Sequence, residues 1–380
     1  MENVNIKYKH YANKHRSTTP EYAPERPPPV LSVSPQSWLT EGDSVTLSCE
    51  VTGSSTDWTF SWYTTVPYRS GLTQIKNSYG YITYVKPLSD SSRGSGGKYT
   101  LSPAGFNHTG VYMCRGERGE PAIHTQYSNP QPLWITGKSP PVFLIINPSR
   151  TQHFTKDSLS LSCEGQNNST GWTVKRYTHN KRVSDCSQWG SVTGSTCKIS
   201  SIYTFYTGVY WCDSESGGSS NPVNITVHDS DVILESPVHP VTEGRPLTLR
   251  CLYQYTKPST LRADFYKDGS VLQTQTTGKM IIHKVSKSDE GFYHCKYPER
   301  GESLKSWVSV RSIKTPITVQ WKKPPSNSPV FIHGQAVEIV QQYKYLGTII
   351  DSNFTFEANT DAVCAKAHQR MYFLSKVEKF

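Results

Sequence analysis

The sequence predicts an all-β chain: three small two-sheet sandwiches in tandem, preceded by a disordered N-terminal arm and followed by a small, poorly independent α/β tail. Three observations carry that prediction. One strand pattern recurs three times along the middle of the chain, each copy framed by two cysteines. The composition, 35% hydrophobic and 18% charged over 380 residues, is thin for one large core and too weakly charged for wholesale disorder. No stretch approaches the roughly 20 apolar residues that a membrane-spanning helix needs.

Residues 1–29 form the arm. The stretch is polar, and Pro20, Pro24, Pro27, Pro28 and Pro29 stiffen its end into a polyproline-like linker. Lys7, Lys9, Lys14 and Arg16 suit an acidic partner, the alternative being a solvated tail. The arm lacks the basic-then-apolar pattern of a secretory leader.

Three units follow, at 30–137, 138–229 and 230–311. Each opens with an alternating strand that ends in cysteine: Val45-Thr46-Leu47-Ser48-Cys49, Leu159-Ser160-Leu161-Ser162-Cys163 and Leu247-Thr248-Leu249-Arg250-Cys251. Period two puts the apolar residues and the cysteine on one face. Each unit closes with Gly-x-Tyr-x-Cys, at Gly110–Cys114, Gly208–Cys212 and Gly291–Cys295. Tyr112, Tyr210 and Tyr293 stand two residues before their cysteines, the position of a tyrosine corner. Repeated three times, this is the signature of immunoglobulin-like sandwiches.

The cysteines then pair within units as Cys49–Cys114, Cys163–Cys212 and Cys251–Cys295. The separations are 65, 49 and 44 residues. In the chain-entropy model each bridge contributes about 4 kcal/mol. Cys186 and Cys197 flank a Gly- and Ser-containing spacer that suits an extra bridge, the alternative being two free thiols. Of the nine cysteines Cys364 is left over, and such usage belongs to an oxidising compartment. Asn107, Asn167, Asn168, Asn224 and Asn353 stand in N-glycosylation sequons, with Asn167 and Asn168 too crowded for both to be modified.

The units differ in their cores. Trp62 is the core tryptophan of the first and Phe265 takes that place in the third. In the second, Arg176 occupies the corresponding position, so either Val174 or Trp172 fills the core and the strand register stays open. Residues 67–98 of the first unit read as an added strand pair and a flexible loop. Short joints near 137–141 and 228–231 bring neighbouring units into contact.

Residues 29–311 resemble the extracellular part of Fc receptor-like proteins, particularly those of bony fish. The resemblance rests on PPPVLSVSPQSWLTEGDSVTLSCEV, SRTQHFTKDSLSLSCEG, TGVYWCDSESGGSSNPVNITV, VILESPVHPVTEGRPLTLRCLY and FYKDG. It implies an immune cell-surface receptor ectodomain that binds immunoglobulin Fc or a related immune ligand, with a cell-surface or extracellular location. The family anchors itself with a membrane helix, and no such span is encoded in this chain. In Fc-binding relatives an aromatic clamp near a domain junction holds the ligand. Trp134, Trp172 and Trp189 are the candidates here, with core or linker packing as the alternative for each. A generic adhesion protein and a soluble decoy receptor are the competing readings.

Residues 312–329 read as a linker. Within 330–380, Val330–Val340 contains a hairpin around His333-Gly334, Tyr343–Asp351 reads as a strand, and 358–380 favours a helix. VFIHGQAVEIV, YKYLGTIID and AKAHQRMYFLSKVEKF resemble the region downstream of the catalytic domain in LINE-type retrotransposon reverse transcriptases. The polymerase's paired aspartates are absent from the sequence, so the resemblance implies an exon capture or gene fusion rather than polymerase activity. The sequence shows no zinc-ligand spacing, phosphate loop or nucleophile triad, so no catalytic residue, metal or cofactor is expected. The net charge of +10 forms no tight cluster and gives no reason to expect nucleic-acid binding.

Overall fold

The computed structural model describes residues 28–52, 58–77, 80–89, 94–165, 171–255 and 262–312, and the backbone of 330–332, 335–337, 342–345 and 348–351. Two compact units, Met1–Ile313 and Lys314–Phe380, divide the chain. The arm before residue 28 and the linker at 313–329 lie outside the described residues, as does the helix expected over 358–380.

Within the first unit the chain forms three successive two-sheet sandwiches. In the first, a four-stranded sheet of Val30–Ser34, Val45–Glu50, Lys98–Leu101 and Gly94–Ser95 faces a seven-stranded one. The added strand pair is Thr73–Lys76 and Ile82–Pro87. The second packs four strands against five, and the third has Val232–Glu235, Leu247–Tyr253 and Lys279–Ile282 facing a five-stranded sheet. Near its start each copy crosses between sheets and adds a parallel strand: Trp38–Thr40 on Gln131–Thr136, Gln152–Phe154 on Val223–His228, and Val241–Thr242 on Val310–Arg311.

Alternation explains why these segments become strands and where their cores lie. Val45, Leu47 and Cys49 are buried, while Thr46 and Ser48 stay partly open. The same holds for Leu159, Leu161 and Cys163, and for Leu247, Leu249 and Cys251. The four bridges are Cys49–Cys114, Cys163–Cys212, Cys186–Cys197 and Cys251–Cys295. Beside each core bridge the tyrosine hydroxyl donates back across the corner: Tyr112 to the His108 carbonyl at 2.8 Å, Tyr210 to Tyr206 at 2.5 Å and Tyr293 to Asp289 at 2.6 Å.

The core positions opposite the second cysteines are Trp62, Val174 and Phe265, paired with Cys114, Cys212 and Cys295. Val174 is 2% exposed, which resolves the second unit's register in its favour; Trp172 lies one inward step away, packed on the rim of that core. Arg176 follows on the inward side. Its guanidinium is held between the rings of Trp189 and Tyr206 at 4.6 and 4.7 Å, so an apparently misplaced charge is housed by two aromatic faces.

In the second compact unit, Val330–Ile332 and Gln335–Val337 pair antiparallel across the two-residue His333-Gly334 connection. The segment Tyr343–Asp351 departs from the single strand the sequence suggested. It is a second hairpin, Gln342–Tyr345 on Thr348–Asp351. The sequence carries a reason: a glycine in the middle of an apolar run favours two short arms over one strand.

Candidate ligand-binding junction

The first two sandwiches join through the outward faces of their cysteine-bearing sheets. An outward face ordinarily carries polar residues. Here the strand Gly110–Arg118 turns Val111 and Met113 outward, and Gly208–Ser214 turns Val209 and Trp211 outward. Val111, Val209 and Trp211 meet at the junction. Val111, Trp134, Tyr177, Val183 and Trp211 form one buried cluster, with Val209 packed against it. Trp134 is 4% exposed and Trp211 2%; their rings lie 5.1 Å apart, with Tyr177 6.0 Å from Trp134. On the same face Lys175 is ion-paired with Asp213.

Polar groups clasp the edges of this contact. Gly137 N donates to Asn221 Oδ1 at 2.8 Å, and Asn221 Nδ2 donates to the Gly137 carbonyl at 3.0 Å. Asn77 Nδ2 donates to the Asn180 carbonyl at 3.1 Å. Arg69 and Glu215 pair at 2.7 Å, but both are exposed and the pair adds little. Asn221 and Glu215 both belong to the loop after Cys212, so this loop of the second sandwich is pinned to the first.

Of the three candidate tryptophans, Trp134 lies inside the junction rather than on its surface. Trp172 sits at its edge, half-buried, with its ring against Gly218 of the pinned loop. A Cβ on Gly218 would stand 2.6 Å from Cη2 of Trp172, so the loop needs glycine there to receive the ring. Trp189 lies elsewhere on the second sandwich, just after Cys186. Its ring meets Tyr210 edge-on at 5.8 Å, and it borders an open groove of about 870 Å³ lined also by Asn147, Ser160, Lys198 and Tyr206. Only Trp134 and Trp172 therefore belong to the neighbourhood of one junction.

The second and third sandwiches meet differently. Gln152 reaches across: its Nε2 donates to the Leu304 carbonyl at 2.7 Å and to Ser306 Oγ at 2.8 Å, and its Oε1 accepts from Leu234 N at 3.2 Å. His239 of the third sandwich packs edge-on to Phe143 of the second. Burial pushes the His239 imidazole below its ordinary range. Next to Gln152, His153 is fully buried, and burial beside the Arg150 guanidinium pushes it down to about 4.

Asn107 and Asn224 are exposed, as a glycan acceptor must be, whereas Asn167 and Asn168 lie outside the described residues. Among the described residues no group of three or more His, Cys, Asp or Glu side chains is arranged to hold a metal ion. Among them, too, no helix is long and apolar enough to cross a membrane. Sequence reasoning missed Tyr177, Trp211 and Gln152. A signal for Trp211 existed: in Gly208-Val209-Tyr210-Trp211-Cys212 both faces of the strand are apolar, which marks a strand covered on both sides.

Family profiles for the immunoglobulin domain match residues 28–117 and 231–321. The low affinity immunoglobulin gamma Fc region receptor II of Mus musculus is 27% identical over 196 residues, covering 50% of this chain and 54% of that receptor. Fc receptor-like B of Homo sapiens is 33% identical over 89 residues, covering 23% of this chain and 21% of its own length. Fc receptor-like protein 5 of Mus musculus is 28% identical over 175 residues, 46% of this chain and 27% of that protein. The match thus spans about half of the first receptor and less of the other two. The chain thus carries immunoglobulin domains at 28–117 and 231–321, and its matches among Fc receptors and Fc receptor-like proteins are of modest identity.

Proposed function

We propose that this chain is an immune receptor ectodomain, with modules at 30–137, 138–229 and 230–311, that binds immunoglobulin Fc or a related immune ligand. The observation that carries the reading is the aromatic junction of the first two sandwiches. Trp134, Tyr177 and Trp211 lock the pair at one angle, so the loop at 214–221 and Trp172 are presented on a preformed edge. Preorganisation of this kind lowers the ordering cost of binding, and a half-buried tryptophan beside a fixed loop is the type of residue that dominates protein interfaces. In this reading Trp134 supports the surface from within and Trp172 touches ligand, while Trp189 serves the core of the second sandwich. No residue is assigned a catalytic role. Four bridges favour an oxidising, extracellular setting. Residues 330–380 are read as a captured retrotransposon fragment outside the receptor function.

The test is biolayer interferometry of the oxidised full-length chain against purified immunoglobulin and its Fc fragment. Saturable binding to Fc supports the proposal. A correctly oxidised chain that binds neither overturns it in favour of a general adhesion role.

A further inference from the structure

The face that joins the first two sandwiches has a third copy that stays open. Gly-x-Tyr-x-Cys aligns Phe292 with Val111 and Val209, and His294 with Met113 and Trp211. In the first two sandwiches Val111 and Trp211 are buried in the cluster that joins the pair, with Val209 packed against it. In the third, Phe292 is 47% exposed and Trp307, its cross-strand partner, 51%. Their rings pack edge to face at 4.9 Å. One row away Tyr266 stacks on His294 at 4.5 Å, and Val271, paired with Tyr266, is 62% exposed. Leu272, at the adjoining bulge, is 46% exposed.

We infer that this outward face of the third sandwich is a dimerisation surface that takes the same face of a second copy of the chain. Three observations select that occupant. First, the chain already shows what this face does when covered: sandwiches one and two pair through it, apolar side against apolar side. Second, the rim is balanced in charge. Asp264 lies opposite Lys296, Lys296 opposite Glu302, and Lys305 lies close enough to act on both His294 and Asp268. A patch with both signs interleaved can meet itself across a two-fold axis without net repulsion. Third, the area suffices. The open parts of Trp307, Phe292, Val271 and Leu272 come to about 400 Å². Tyr266, His294 and the rim bring the face towards the roughly 800 Å² per partner of a standard interface. The inference is independent of which ligand the first two sandwiches hold.

Sedimentation velocity of the oxidised full-length chain tests it, across about 1–100 µM. The expected result is a concentration-dependent dimer that Trp307→Lys or Phe292→Lys weakens by at least about tenfold. Val192→Lys, which alters an equally exposed apolar side chain on the second sandwich, should leave the dimer intact. Mass analysis confirms that all four bridges form in each variant, and Trp307→Ser serves where a lysine variant does not fold. A chain that is monomeric throughout the range overturns the inference, even if a different immunoglobulin-domain protein docks on this face. So does a dimer that the Trp307 and Phe292 variants leave unchanged.

Discussion

At the scale of single residues, the tyrosine corners and the buried histidine make the sharpest predictions. Tyr210→Phe removes a hydroxyl that bonds the Tyr206 carbonyl and leaves that acceptor without its donor. The expected loss is about 1–2 kcal/mol in denaturant unfolding with the slope unchanged. Burial pushes the phenols of Tyr210 and Tyr293 up to about 12. Between the ordinary value of 10 and that value the folded chain keeps protons that the unfolded chain releases, so stability falls as pH rises through the window. His153 works in the opposite sense. It is held down to about 4, against 6.5 when unfolded. Between these values the unfolded chain binds the extra proton, so its contribution is present above 6.5 and lost as pH falls towards 4. His153→Gln should flatten the acid limb of a plot of unfolding midpoint against pH; an unchanged limb would assign the acid sensitivity to other groups. The corner tyrosines were legible in the sequence because their spacing from cysteine is fixed. His153 was not, because a polar residue in a short strand reads as solvent-facing and nothing local marks it as buried.

At the scale of elements, the bridges differ by the loops they close. Replacing both Cys186 and Cys197 by alanine opens an 11-residue separation and should cost about 3 kcal/mol, somewhat less than opening any core bridge. Thermal unfolding of the double variant checks this. Alternation identified the strand that carries the first cysteine of each sandwich, because one buried face forces period two. It left two points unsettled or misread. The second unit's register stayed open because Arg176 occupies a position that a core aromatic fills elsewhere. Only the structure shows Trp189, from a loop outside the repeat, and Tyr206 enclosing its guanidinium. The Tyr343–Asp351 hairpin was read as one strand because its apolar run drew more weight than the glycine inside it.

At the scale of the whole molecule, three similar sandwiches are distinguished by what their outward faces meet. Trp211→Ala at the first junction deletes a side chain that is 2% exposed and should cost about 3–5 kcal/mol. Because the cluster belongs to two sandwiches, the same variant should also broaden the angle between them, visible as a larger radius of gyration in solution scattering. The sequence made the sandwiches readable one at a time, since each core is closed by its own cysteines. Their pairing was hidden in plain residues such as Val111, Val209 and Trp211, whose apolar character on the nominally wet side of a strand is the trace of a neighbour.

The central claim is that the edge of this junction, through Trp172, binds immunoglobulin. The most direct measurement is the affinity of the oxidised chain for purified Fc, with Trp172→Ala and Trp307→Lys side by side. The account predicts a Kd raised at least about tenfold by Trp172→Ala in a chain that keeps all four bridges and still unfolds cooperatively, and one that Trp307→Lys leaves alone at monomer concentrations. Equal affinity for the wild type and Trp172→Ala would contradict it.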